Sequence, residues 1–119
     1  MSIKAMNWAF DLDIKPPGRK FVLVCIADFS DARGFCYPGQ KRLMQMTGLS
    51  RTSIYDHVGA LEIEGYIKRY ERRNRKGFKT ADGYVLLAEP GLFEAFDGDL
   101  RDVFGEHIYE KRDDFSDLE

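Results

Sequence analysis

Tyr37-Pro38-Gly39-Gln40-Lys41-Arg42-Leu43-Met44-Gln45-Met46-Thr47-Gly48-Leu49-Ser50-Arg51-Thr52-Ser53-Ile54-Tyr55-Asp56-His57-Val58-Gly59-Ala60-Leu61 is the stretch whose reading decides the fold. A helix is predicted to begin between Pro38 and Gln40, burying Leu43 and Met46 at a three-residue step. Gly48 ends it, because glycine enters the left-handed region without a Cβ clash. Leu49 then turns inward. Ser50 is the predicted cap of the next helix, its side chain accepting from an exposed N–H near Ser53. Ile54, Val58 and Leu61 follow at four- and three-residue steps and form one apolar face. Arg51, Thr52, Tyr55, Asp56 and Gly59 fall opposite.

Working outward, Pro16-Pro17-Gly18 starts an earlier helix, since proline is preset for a first helical turn. It is expected to reach about Phe29. Val22-Leu23-Val24 also suits a buried strand, but the length and the lack of strict alternation favour the helix. Asn7-Trp8-Ala9-Phe10 reads as an aromatic lead-in packed on the domain. Asp31-Ala32-Arg33-Gly34 is a turn and Phe35-Cys36-Tyr37 a very short strand. Gly65 closes the Ser50-capped helix and Tyr66-Ile67 opens a strand. The polar stretch Arg72 to Gly83 connects it to a returning strand, Tyr84-Val85-Leu86-Leu87, giving a hairpin with a basic tip. Beyond Glu89-Pro90-Gly91, Leu92, Phe93, Phe96, Leu100, Val103, Phe104, Ile108 and Tyr109 recur at helical steps among acids. This predicts one or two amphipathic helices interrupted near Gly98 and Gly105, with 113–119 frayed.

Hydrophobic residues make up 44% of the 119, which suits one domain with a real core. The longest apolar run, Phe21 to Ala27, is far short of the roughly 18 residues that span a bilayer. No signal-peptide pattern opens the chain, so a cytoplasmic, nucleoid-associated location is expected and no membrane partner. Cys25 and Cys36, with His57 and His107, match no metal-site spacing, so neither metal nor cofactor is expected. Cys25 reads as core and His57 as a residue at the edge of the helix core. The net charge of −2 hides a segregation. Residues 1–88 hold 15 Lys/Arg against 9 Asp/Glu, whereas 89–119 hold 3 against 11. Residues 65–80 carry 7 basic residues and the single acid Glu71. The basic part thus coincides with the predicted hairpin.

The order helix, short strand, helix, turn, helix, hairpin resembles the winged helix-turn-helix fold. More narrowly, it is similar to the phage and plasmid helix-turn-helix family that includes the amino-terminal origin-binding domain of lambda-type replication protein O. The resemblance rests on Lys20-Phe21-Val22-Leu23 with Ala27-Asp28, on Gly34-Phe35-Cys36-Tyr37-Pro38, and on Thr47 through Ile54. Leu61-Glu62, Gly65-Tyr66-Ile67, Gly77 and Tyr84-Val85-Leu86 complete it. It covers residues 7–88. Departures from the pattern are Gly39, where Ser is common, Asp56, where a basic residue is common, and Gly59, which weakens its helix by roughly 1 kcal/mol relative to Ala. The resulting expectation is an α+β, mainly α chain: a winged helix-turn-helix domain over 1–88 and an acidic amphipathic helical tail over 89–119, serving dimerisation or partner binding.

That fold implies double-stranded DNA as partner, bound sequence-specifically by a likeness of a phage, prophage or plasmid regulator of transcription or replication, expected as a homodimer. Arg51, Thr52 and Tyr55 are the expected base readers, since Arg can pair with guanine O6/N7 and Thr offers a hydroxyl and a methyl. Tyr55 suits a phosphate contact or packing against the hairpin equally. Asp56 can accept from cytosine N4 or pair with a hairpin arginine. Ser50 and Ser53 serve either the helix start or the DNA. Gln40 and Lys41 open a helix, where anions are favoured. Arg72, Arg73, Asn74, Arg75 and Lys76 are the expected backbone or minor-groove contacts, with Lys68 and Lys79 extending the stripe. No enzyme is expected: Gln40 and Arg42 break the one near-match to a phosphate loop. The alternative of another class is a protein-interaction adaptor that uses the acidic tail.

Overall fold

The computed structural model describes residues 3–111, and the frayed end expected over 113–119 lies outside them. The aromatic lead-in is itself helical. Helix α1 (Ile3–Asp11) buries Ala5, Trp8 and Ala9, a three- and one-residue spacing that puts them on one face. It packs on α2 (Pro17–Asp28), whose first turn carries the proline and whose run from Val22 to Ala27 is buried throughout. A helix apolar on every side belongs at a centre. Helices α1, α3 (Gln40–Thr47) and α4 (Arg51–Ile63) all lie against α2, and so the strand alternative for Val22-Leu23-Val24 does not arise.

Strand β1 (Phe35–Cys36) leads into α3 (Gln40–Thr47). Gly39 gives α3 no side-chain cap, and Gly48 ends it with φ +75°, as the sequence required. The turn is braced by Thr47, whose hydroxyl donates to the Leu43 carbonyl at 2.8 Å and accepts from the Leu49 N–H at 3.1 Å. Helix α4 (Arg51–Ile63) starts where the Ser53 N–H donates to Ser50 Oγ at 3.1 Å. Ile54, Val58 and Leu61 are buried as expected; Gly59 is buried too, so it belongs to the inward face rather than the outward one.

Strands β2 (Ile67–Arg73) and β3 (Gly83–Leu86) form the hairpin, and β1 pairs antiparallel with β3. Residues opposite one another share a face of the sheet. Cys36, Tyr84 and Arg69 share the face turned to the helices, and the other face holds Phe35, Val85 and Lys68, with Tyr70 opposite Gly83.

The chain after Pro90 corrects the sequence expectation. Among the described residues there, helix is confined to α5 (Arg101–Phe104), and residues His107–Lys111 form β4, which pairs antiparallel with β2. The sheet order is β1-β3-β2-β4. The helical spacing of the apolar residues has another cause: they reach different parts of the body from a largely irregular strap. Phe93 meets Trp8 edge-on at 6.1 Å, and Phe96 meets Phe35 at 5.2 Å. Phe104, 2% exposed, lies on Phe35 and stacks on Tyr70 at 6.0 Å. The strap therefore covers the sheet face that the helices leave open. A Cβ on Gly83 would sit 2.7 Å from the Phe104 ring, so only glycine lets the strap come this close. The stripe assigned to dimerisation or partner binding is thus largely occupied within its own chain.

Candidate nucleic-acid interface

Gly48 and Ser50 fix how α4 leaves α3, and the hairpin returns beside both helices. Between them lies a cleft of about 530 Å³, lined by Pro38, Gly39, Gln40 and Lys41, by Arg51 and Tyr55, and by Lys79 through Asp82 with Tyr84. The fold thus brings together five residues that the sequence proposes for contact: Gln40, Lys41, Arg51, Tyr55 and, as an extension of the basic stripe, Lys79. It adds Thr80 from the hairpin. Lys79 is held only loosely, 3.6 Å from Glu71. Gln40 Oε1 is buried and has no hydrogen-bond partner among the described residues.

On α4, Arg51, Thr52, Tyr55 and Asp56 are exposed. Asp56 pairs with no hairpin arginine among the described residues; its carboxylate lies near His57. Burial holds the His57 imidazole below its ordinary pKa, the Arg19 charge adds to this, and Asp56 opposes it. Ser50 and Ser53 are engaged with each other at the helix start, the Ser50 hydroxyl donating to Ser53 Oγ at 3.2 Å. Tyr55 packs against the hairpin, with the Arg69 guanidinium 5.3 Å above its ring.

Arg69 was not singled out from the sequence. Its side chain is 1% exposed and its Nε and Nη2 donate to Glu62 Oε1 at 3.3 and 3.2 Å, while its backbone N–H donates to Glu62 Oε2. One buried ion pair therefore fastens β2 to α4 and carries Tyr55 on its outer side. The signal was present in the alternation of β2: Ile67 faces the core, so Arg69 must as well.

The basic run at 72–76 divides. Arg72 is anchored inside: Nε donates to the Phe104 carbonyl at 2.7 Å, Nη1 donates to the Ala81 carbonyl at 3.1 Å, and the guanidinium lies 4.5 Å from the Tyr37 ring centroid. Asn74 builds the turn, accepting on Oδ1 from the N–H groups of Lys76 and Phe78 at 2.9 and 3.0 Å. Arg73 donates to Glu71 at 3.1 Å and to the Gly77 carbonyl at 2.8 Å. Arg75 and Lys76 are exposed, and their side chains have no partner among the described residues. Lys68, opposite the tip end, is paired with Glu110 at 3.1 Å, and that hydrogen bond holds its ammonium above the ordinary lysine range. Among the described residues, no three His, Cys, Asp or Glu side chains gather into a metal-binding group, and no helix is long and apolar enough to cross a membrane.

Helices plus a small antiparallel sheet, with a tight glycine turn between α3 and α4 and a hairpin beside them, are compatible with a winged helix-turn-helix. Residues 15–67, from the start of α2 to the start of β2, match the family model described as a helix-turn-helix domain. The match supports DNA as the partner of this segment. The hairpin beyond Ile67 and the strap lie outside it. No curated protein and no solved structure matches the chain.

Proposed function

We propose that the protein binds double-stranded DNA sequence-specifically, with α4 in the major groove and the hairpin tip on the adjacent backbone or minor groove. One observation carries the reading. Exposed Arg51 and Tyr55 open onto the cleft that Lys41 and Lys79 also line, and the uncommitted charges of Arg75 and Lys76 stand at the end of the same hairpin. Available cations flanking a helix of major-groove width are what phosphate positioning and base reading require together. Arg51 and Thr52 are the proposed base readers. Lys41, Arg75 and Lys76 are the proposed phosphate contacts, with Lys79 extending them.

The role as a phage-, prophage- or plasmid-type regulator of transcription or replication rests on the resemblance alone, and so does the homodimer. With Phe93, Phe96 and Phe104 packed against their own chain, the stripe still offers a second copy the exposed Tyr109 on β4. Selection of bound sites from a random oligonucleotide pool tests the central reading. A site should emerge on which Arg51→Ala loses roughly 1–3 kcal/mol and relaxes choice at one base position. Failure to enrich any sequence, or an Arg51→Ala loss equal on all sequences, removes base reading by α4.

A further inference from the structure

Phe78 belongs neither to the cleft nor to the hydrophobic core. It sits at the hairpin tip with 67% of its surface exposed, although the same chain buries Phe35 and Phe104. Its backbone is fixed at both ends of the peptide. The Phe78 N–H donates to Asn74 Oδ1 at 3.0 Å, and the Phe78 carbonyl accepts from the Asn74 N–H at 2.9 Å. An aromatic ring is therefore held out on a tied turn rather than on a loose loop. Its neighbours across the turn are Arg75 and Lys76, the two uncommitted cations, and the next residue along β3's lead-in is Lys79, which already lines the cleft.

We propose that Phe78 is a wedge that enters the minor groove beside the major-groove site and partly unstacks one base step, bending the duplex. This rests on the DNA-binding reading and adds to it a deformation of the DNA. Apolar side chains inserted between base steps from the minor groove kink duplexes by roughly 20–90° toward the major groove. The insertion needs an exposed apolar group, a rigid mount and nearby cations that draw the tip onto the phosphates, and this turn has all three. A lipid surface is the other host for an aromatic among cations. It is favoured by a broad amphipathic face, whereas here a single ring stands on a turn whose next residues, Lys79 to Asp82, line the cleft. The wedge also gives a source of sequence preference at positions no side chain hydrogen-bonds, because pyrimidine–purine steps unstack most easily.

The test uses the full chain and a duplex of about 30 base pairs carrying the selected site, labelled at both ends for energy transfer and with 2-aminopurine near the wing-side step. The unmodified protein should shorten the end-to-end distance and raise 2-aminopurine fluorescence on binding. Phe78→Ser, at an exposed site that leaves folding intact by circular dichroism, should bind about ten-fold more weakly with a straight duplex and no fluorescence rise, keeping its base preference. Phe78→Leu should retain most of the bend. A bend and affinity unchanged in Phe78→Ser, or a straight duplex with the unmodified chain, overturns the wedge while leaving DNA binding intact. Absence of binding to any duplex at low salt overturns both readings. Phe78-dependent binding to vesicles of anionic phospholipid, without a DNA bend, transfers the ring to a membrane role and overturns the proposal.

Discussion

The hairpin carries arginines in two chemical conditions. At its base, Arg69 is sealed against Glu62 beneath Tyr55, and Arg72 is held by two carbonyls and the Tyr37 ring. At its tip, Arg75 and Lys76 stand in solvent. The same residue type therefore serves as a structural fastener at one end and as available charge at the other. A count of basic residues measures neither; what matters is which guanidinium groups find acceptors inside the chain. Buried charge is tolerated only when paired and hydrogen-bonded, and a charge so paired has little attraction left for a phosphate.

The comparison breaks most visibly at Arg69. Arg69→Ala leaves the Glu62 carboxylate beside a cavity with its counter-charge gone, and should lower stability by about 3–5 kcal/mol. Urea unfolding measures this, and a loss below about 1 kcal/mol would return Arg69 to the class of ordinary surface arginines. Arg72→Ala should come next, at about 1–3 kcal/mol, because the Phe104 and Ala81 carbonyls lose their donor. Its binding to duplex DNA should keep the salt dependence of the unmodified protein when measured below the unfolding transition. A flatter slope would mean that Arg72 leaves its internal partners to reach phosphate.

The double variant Arg75→Ala/Lys76→Ala should invert that result. Stability should change by less than about 0.5 kcal/mol, while the slope of log K against log salt flattens by about 2, near 0.9 for each lost phosphate contact. An unchanged slope would take the tip out of the interface. The smallest effect belongs to His57, where charge is excluded rather than paired. Its folded-state pKa lies below the unfolded one, so the unfolded chain takes up the proton first as pH falls. Stability should accordingly be complete above the ordinary histidine range and decline as pH drops through it toward the lower folded-state pKa. Urea midpoints across this range, compared with those of His57→Gln, check the sign; a midpoint that rises on acidification would contradict it.

What was legible in the sequence was local. Leu43, Gly48, Ser50 and the Ile54-Val58-Leu61 face act within one or two turns of chain, and their chemistry does not depend on a distant partner. Gly59 was misplaced because α4 is covered on a wider arc than those three residues mark. Asn7 to Phe10 was too short a window to reveal α1. The strap was illegible for a different reason. Leu92 to Tyr109 has helical spacing, but Pro90, Gly91, Gly98 and Gly105 interrupt it. Its conformation is decided by partners some 30 to 85 residues away in sequence: Tyr70 and β2, Phe35, and Trp8. The candidate interface divides in the same manner. The outward positions of Arg51 and Thr52 follow from helix periodicity. The internal commitment of Arg72 depends on the carbonyl of Phe104, which no local pattern announces.

The clamp at Arg72 limits how this protein can be recombined. A chimera that transplants the hairpin onto another helix-turn-helix body, without the segment from Arg101 to Lys111, would import a guanidinium whose carbonyl at Phe104 has been left behind and an edge of β2 with no strand beside it. The hairpin is not a cassette. The smallest unit that can be moved or redesigned as a whole is hairpin plus strap, the continuous run from Ile67 to Lys111, inherited together or not at all.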